Sequence, residues 1–225
     1  MIPFSDSPAR RRRIPIVMPL IVVANILVFV YQISLPAGED RFLLSYGAIP
    51  FEITHGIDIP PTISLPIYAT LLTSMFIHQG ILHLGGNLLF LWVFGDNVED
   101  RLGHLTFLFF YLACGLIAGL AQIAIDVNSR VPAIGASGAI SGVLGAYLVL
   151  FPHSQVRTLL FLGPFFTITR ISAIFLIGFW IVTQLAAGFF LVELGNAQAG
   201  GVAYFAHIGG FVAGLILILF LRPQQ

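Results

Sequence analysis

The sequence predicts an all-α membrane protein, a bundle of six transmembrane helices with both ends on the cytoplasmic side. Three observations carry that expectation. The first is composition: of 225 residues, 58% are hydrophobic and 9% charged, and the mean hydropathy is +0.98. A soluble domain carries about 25% charged residues, so this chain lacks the polar atoms to cover a globular surface in water. That excludes a water-soluble enzyme and a disordered chain, and a formal net charge of zero argues against a nucleic-acid partner. The second observation is the spacing of charge. Uncharged runs cover residues 14–38, 59–95, 102–125, 131–156, 171–192 and 194–221, and about 20 apolar residues cross a hydrocarbon core of about 30 Å. The third is the placement of arginine, which supplies all ten basic residues. With six spans and the N-terminus inside, Arg10, Arg11, Arg12, Arg13, Arg101, Arg157, Arg170 and Arg222 fall in the cytoplasm and only Arg41 and Arg130 outside. Cytoplasmic loops are the ones that carry such an excess.

The expected helices run over about 16–35, 82–97, 103–125, 137–151, 170–192 and 204–221. Residues 1–15 read as a short basic cytoplasmic N-terminus and 16–225 as one membrane domain. The apolar run after Arg13 is long for a secretory h-region and no small-x-small cleavage site follows, so it is kept as the first helix. A long outer loop over 36–81 holds Pro36, Pro50, Pro60, Pro61 and Pro66, and its part over 67–77 is apolar enough to lie in the interface or dip into the bilayer. The fourth helix has only 15 residues, about 22 Å at 1.5 Å per residue. Its outer end therefore starts below the membrane surface, and 128–136 must dip inward as irregular backbone. Such backbone is tolerated at depth where it is buried in protein or lines a water-filled cavity, which implies a wet pocket opening outward with Ser137 on its floor. Segment 152–169, with Pro152, Gly163 and Pro164, is expected to run along the inner surface. Gly138 and Gly142 on the fourth helix, and Gly210 and Gly214 on the sixth, are small-xxx-small faces that let helix backbones approach closely.

Polar residues inside spans are costly and point to function. His78, His83 and Asn87 lie around the start of the second helix, Ser137 and Ser141 open the fourth, and His207 opens the sixth. His55, His104 and His153 read as solvated. The second, fourth and sixth helices all run inward, so His83, Asn87, Ser137 and His207 share one depth near the outer leaflet. His83 and Asn87, at i and i+4, project from one helix face. A serine hydroxyl attacks poorly unless a base takes its proton, and histidine is the usual base. Ser137 sits at a helix N-terminus, where free N–H groups and the macrodipole favour developing negative charge. Its backbone N–H, with His83 and Asn87, would make an oxyanion hole. No Asp or Glu lies in a span near this layer, so the composition allows a Ser–His dyad and no triad. Taken singly, each residue has an ordinary reading: Ser137 as a packing serine, His207 as a polar strut, His83 and Asn87 as interhelical hydrogen bonds worth about 0.6 kcal/mol each. The constellation overturns those readings only as a whole.

Gly135-Ala136-Ser137-Gly138 on an inward helix, Ala206-His207 two helices later, and His83-Leu84-Gly85-Gly86-Asn87 on the second helix together resemble the rhomboid intramembrane serine proteases. Gly95, Glu99 and Gly103 also fit that family's G-x-x-x-E-x-x-x-G pattern, and the resemblance covers about residues 66–221. It implies Ser137 as nucleophile and His207 as general base and acid. It implies His83, Asn87 and the Ser137 backbone as oxyanion donors, Gly135 and Gly138 as shapers of the loop, and Glu99 and Arg101 as structural ties of the inner turn. It further implies no cofactor and no metal, substrates that are single-span membrane proteins cut in or near their spans, and a site opening to the outer side of a cell membrane. The oligomeric state stays open. Segment 67–77 and the fifth helix are candidates for moving aside to admit substrate. Two departures stand out: Ser141 replaces a tyrosine that in some members stacks on the catalytic histidine, and neither Trp92 nor Trp180 supplies a Trp-Arg pair in the outer loop. Two other readings remain. A catalytically silent binding or chaperone relative should lack Ser137 or His207, and both are kept. A haem or transport bundle could use His83 and His207 as facing ligands, but it leaves Gly135 to Gly138 unexplained. The single Cys114 excludes a disulfide framework and a thiolate metal cluster.

Overall fold

The computed structural model describes residues 1–7, 13–35, 39–62, 64–194 and 202–221. Arg10, Arg11, Arg12, Arg222 and Pro36 lie outside the described residues. In chain order the elements are β1 (Ile2–Asp6), α1 (Val17–Ser34), α2 (Glu39–Tyr46), α3 (Pro50–His55), α4 (Ile67–Phe76, with 3-10 turns at both ends), α5 (Ile81–Leu102) and α6 (His104–Ile125). They continue with α7 (Ser137–Leu150), the strands β2 (Gln155–Leu162) and β3 (Phe165–Ser172), α8 (Ala173–Glu193) and α9 (Tyr204–Phe220). Among the described residues, α1, α5, α6 and α8 are long and apolar enough to cross a membrane, while α7 and α9 are shorter apolar helices. The chain is a mostly helical, multi-pass membrane protein.

The expectation of an all-α chain is corrected by a three-stranded antiparallel sheet in the order β1-β2-β3. Segment 152–169, expected to run along the surface, instead holds most of a hairpin in which Gln155 pairs with Ser172 and Leu162 with Phe165. The two-residue loop Gly163-Pro164 explains it: Gly163 takes φ +63°, and glycine at the first loop position is what a II′-type hairpin needs. β-Branched and aromatic residues fill the flanking runs, which suits strands; overall hydropathy hides that signal. β1 pairs with β2, Ile2 opposite Leu159 and Asp6 opposite Val156. Asp6 Oδ2 accepts from Asn97 Nδ2 at 2.7 Å on α5 and from the Tyr147 hydroxyl on α7, so the sheet docks on the bundle.

At the same end of the molecule, Glu99 is wholly buried on α5. Its Oε1 accepts from the backbone N–H groups of Ile16 and Val17, both at 2.8 Å, and its Oε2 from that of Met18 at 2.7 Å. These are donors at the start of α1 that no helical carbonyl can satisfy, and a negative charge there also complements the helix dipole. His104 Nδ1 lies 2.6 Å from Glu99 Oε1 and ties in α6. Between them Gly103 takes φ +81°, ending α5 through its N–H to Glu99 O and opening α6 by accepting from Phe107 N. Glu99→Ala strands those donors in the interior, and hydrogen bonds to a charged group are worth about 1.5–3 kcal/mol each. A loss of about 3 kcal/mol of stability, read by thermal unfolding in detergent, is the expected outcome.

The centre of the bundle is α7, whose residues from Gly138 to Tyr147 are all buried. It meets α9 backbone to backbone: a Cβ on Gly210 would overlap the carbonyl of Gly138, and one on Gly214 the carbonyl of Gly142. Above them α2, α3 and α4 fold over the bundle, and the chain around the start of α3 pairs with the loop that leads into α7. Ala48 and Ala133 exchange N–H···O bonds of 3.1 and 2.8 Å, and Phe51 N donates to Ser129 O at 2.9 Å. Glu52 on α3 is buried, and desolvation pushes its carboxyl above the usual value of 4.5 despite a hydrogen bond from Ile59 N. The protonated form is therefore the one the fold favours. Stability from this group is full below the ordinary carboxylate range and falls as pH rises through the higher folded value. Replacing Glu52 by Gln should flatten that part of a melting-temperature series taken against pH.

Candidate active site

Ser137 opens α7 directly after a turn that depends on Gly135. Gly135 takes φ +112°, a conformation that L side chains avoid, and its N–H is held by Ser74 O at 2.8 Å. A Cβ at Gly135 would also sit 2.9 Å from the His83 ring. Gly138 faces Ala118 of α6 and Ala206 of α9, so α7 can lie close against both. The N-terminus of α9 is held in turn by Gln122 of α6, whose Oε1 accepts from Ala206 N at 3.1 Å. The result is that His207 Nε2 lies 2.8 Å from Ser137 Oγ.

Ser137, His207, His83 and Asn87 line one cavity of about 450 Å³, together with Trp180 and Ser141. Asn87 is buried, and its Nδ2 has no acceptor within the described protein. A buried donor without a partner suits an incoming oxygen with negative character. Gln79 N donates to His83 Nδ1 over a long 3.4 Å, which leaves Nε2 as the protonated nitrogen facing Gly135. The first N–H groups of α7 are among those that a helix leaves without internal partners. The arrangement can pass a hydroxyl proton to an imidazole and offer several donors to an oxyanion.

Glu99 and Arg101 stand apart from this cavity, at the far end of α5. Glu99 binds the start of α1, as described, and the Arg101 guanidinium lies 5.1 Å over the Phe151 ring just after α7. Ser141 uses its hydroxyl on Ser137 O at 2.6 Å and leaves His207 alone. From α8, Gln184 Oε1 lies 2.7 Å from His207 Nδ1, and the Trp180 ring centroid lies 5.8 Å from the imidazole centroid. Gln184 and Gln122 carry no charge and sit in strongly apolar runs, so charge gaps and motif spacing pass over them. Listing every amide within a span would have found both.

Fold and cavity together define a multi-pass membrane protein that holds a serine–histidine pair at the entrance of a short, centrally buried helix. The Rhomboid domain family model matches residues 67–224. The chain is 31% identical to Rhomboid protein 1, mitochondrial, of Saccharomyces cerevisiae over 65% of this chain and 40% of that protein. It is 30% identical to RHOMBOID-like protein 5 of Arabidopsis thaliana over 92% of this chain and 68% of the relative. With Rhomboid protease GluP of Bacillus subtilis the identity is 36%, over 64% of this chain and 24% of that protein. The chain belongs to the rhomboid family. It spans between 24% and 68% of the length of these three relatives.

Proposed function

We propose that this chain is an intramembrane serine endopeptidase that cuts single-span membrane proteins in or near their transmembrane segments. The observation that carries the reading is the 2.8 Å contact between Ser137 Oγ and His207 Nε2 in a cavity that also holds His83 and Asn87. In the reaction, Ser137 Oγ attacks the scissile carbonyl carbon as His207 Nε2 takes the hydroxyl proton. The oxyanion is held by the Ser137 backbone N–H, His83 and Asn87. His207 then gives its proton to the leaving amine, and water hydrolyses the acyl-enzyme by the same route in reverse roles. The chain's own side chains and the Ser137 backbone N–H perform every step, and the reading requires no cofactor.

The same reading takes six spans, with α7 and α9 as shortened ones whose pocket ends start below the surface, and both chain ends on the cytoplasmic side of a cell membrane. Arginine placement supports that direction. Arg101 near Phe151 and Arg157 over Phe4 belong to the sheet end, whereas Arg130 lies over Phe51 at the pocket end. The cavity then opens to the outer side.

The test compares wild-type protein with Ser137→Ala on a labelled single-span substrate that carries a Gly/Ala-containing outer segment. A serine-directed phosphonate serves as second probe. Cleavage and labelling that need Ser137 are the expected result; labelling in neither protein would favour a catalytically silent binding protein. His83→Ala and Asn87→Ala are each expected to lower kcat by about 10²–10³, the cost of one lost oxyanion donor, while phosphonate labelling slows and folding persists.

A further inference from the structure

The hydrogen bonds behind His207 run in one direction, and that direction selects its tautomer. Thr183 Oγ1 lies 2.6 Å from Trp180 O on α8. A carbonyl oxygen only accepts, so the single hydroxyl proton of Thr183 goes there. Oγ1 then has only lone pairs for its next neighbour, Gln184 Nε2 at 3.3 Å, which must be the donor. With Nε2 turned to Thr183, Gln184 presents Oε1 to His207 Nδ1 at 2.7 Å. Oε1 only accepts, so Nδ1 carries the proton. A neutral imidazole has one N–H, so Nε2 keeps a bare lone pair, and it faces Ser137 Oγ at 2.8 Å. Amide and imidazole orientations are assigned from their networks, and here every donor and acceptor agrees with the same chain, Ser137 to His207 to Gln184 to Thr183.

We propose that Gln184, itself oriented by Thr183, is a positioning residue that holds His207 as its Nδ1–H tautomer and so keeps Nε2 ready to take the Ser137 proton. This deepens the protease reading and rests on it. An amide can do here what a buried carboxylate does in a triad, without placing a charge in an apolar span. Its weakness is that it has two faces. A flipped amide would offer a donor to Nδ1, move the imidazole proton to Nε2 and leave nothing to accept from Ser137; that wrong tautomer costs about 10⁴ when a triad Asp becomes Asn. Thr183 is what prevents the flip. Because Trp180, Thr183 and Gln184 all ride on α8, of whose apolar stretch only 17% is buried, a displaced α8 takes the acceptor away from His207.

Three variants test this. Gln184→Leu removes the acceptor and should lower kcat by about 10², within the range of general-base effects, with KM little changed. Thr183→Val keeps the shape of the side chain but releases the amide, and about a tenfold loss of kcat is expected on the same scale. Gln184→Glu restores an acceptor that cannot flip. It should recover most of the activity with the acid limb of the pH–rate profile moved to higher pH, since a carboxylate favours the imidazolium. The other ionisable groups around His207 are His83 on α5, Tyr204 on its own helix with ring centroids 6.4 Å apart, and Cys114 on α6, packed against Gly142 a turn below. On α8 the single ionisable side chain is Glu193, its last residue. Imidazole ¹⁵N spectra, with the His207 signal assigned by its loss in His207→Asn, read the tautomer without any substrate. Wild-type rates and an unchanged tautomer in both Gln184→Leu and Thr183→Val would overturn the proposal. If the wild type neither cleaves nor labels, the protease reading fails first, and the ¹⁵N spectra of Thr183→Val still decide whether Gln184 sets the tautomer.

Discussion

Ser137→Ala is expected to lower cleavage of a single-span substrate by about 10⁶-fold, the scale on which removal of a catalytic serine or its histidine acts in serine proteases. The fold should survive, because Ser137 is half-buried and the side chain of Ala fits wherever that of Ser did. His207→Ala should cost as much, and the double variant little more, since proton transfer and attack are one event and their losses do not add. The check is a gel assay with substrate in excess, beside phosphonate labelling. Both signals should vanish in the two single variants, with unfolding temperatures near that of the wild type. An active Ser137→Ala protein would end the proposed mechanism and leave the family membership standing.

Gly214→Val is expected to lower activity by at least about 10² by a different route, through the distance between two helices. A Cβ at Gly214 would overlap the backbone carbonyl of Gly142, and the atoms in the way are main chain, which cannot rotate aside. Helix α9 must then move off α7. These two helices carry His207 and Ser137, so the 2.8 Å contact opens, and a misplacement of about 1 Å at a reacting centre costs about 10² in rate. Overpacking of this kind also destabilises by about 1–3 kcal/mol. Loss of labelling and a lower unfolding temperature should therefore appear together. Gly178→Ala is the matched control. A Cβ there meets nothing within 4 Å, and alanine favours helix over glycine by about 1 kcal/mol, so stability should hold or rise.

Much of this was legible in the chain. Hydropathy and the gaps between charges locate apolar helices because lipid demands long uncharged runs with internally satisfied backbones. Helix parity led to the expectation that Ser137, His83, Asn87 and His207 share one depth, and one cavity holds all four. The hairpin β2–β3 escaped for a related reason. Its strands mix apolar residues with Arg157, Thr158, Thr167, Thr169 and Arg170, so charge spacing sets them outside the spans, and hydropathy does not distinguish a period of two from one of 3.6 in a short run. The signal was the two-residue Gly163-Pro164 loop. Glu99 was legible as a motif member, but its partners, the first N–H groups of α1, lie more than eighty residues earlier.

By itself the sequence determined that this protein lives in a membrane, how its long apolar helices are spaced, and that a serine and a histidine open two of the shorter ones. Those are local properties, written in composition and in residue spacing along one chain. The tertiary structure alone decided that Gln184 meets His207, that Thr183 turns its amide, that Asp6 pins a sheet to Tyr147, and that glycines bring α7 and α9 into backbone contact. Each of these depends on which faces of separate helices come together. Side-chain packing at those contacts is set by shape in three dimensions, and shape of that kind leaves no period in the sequence to read.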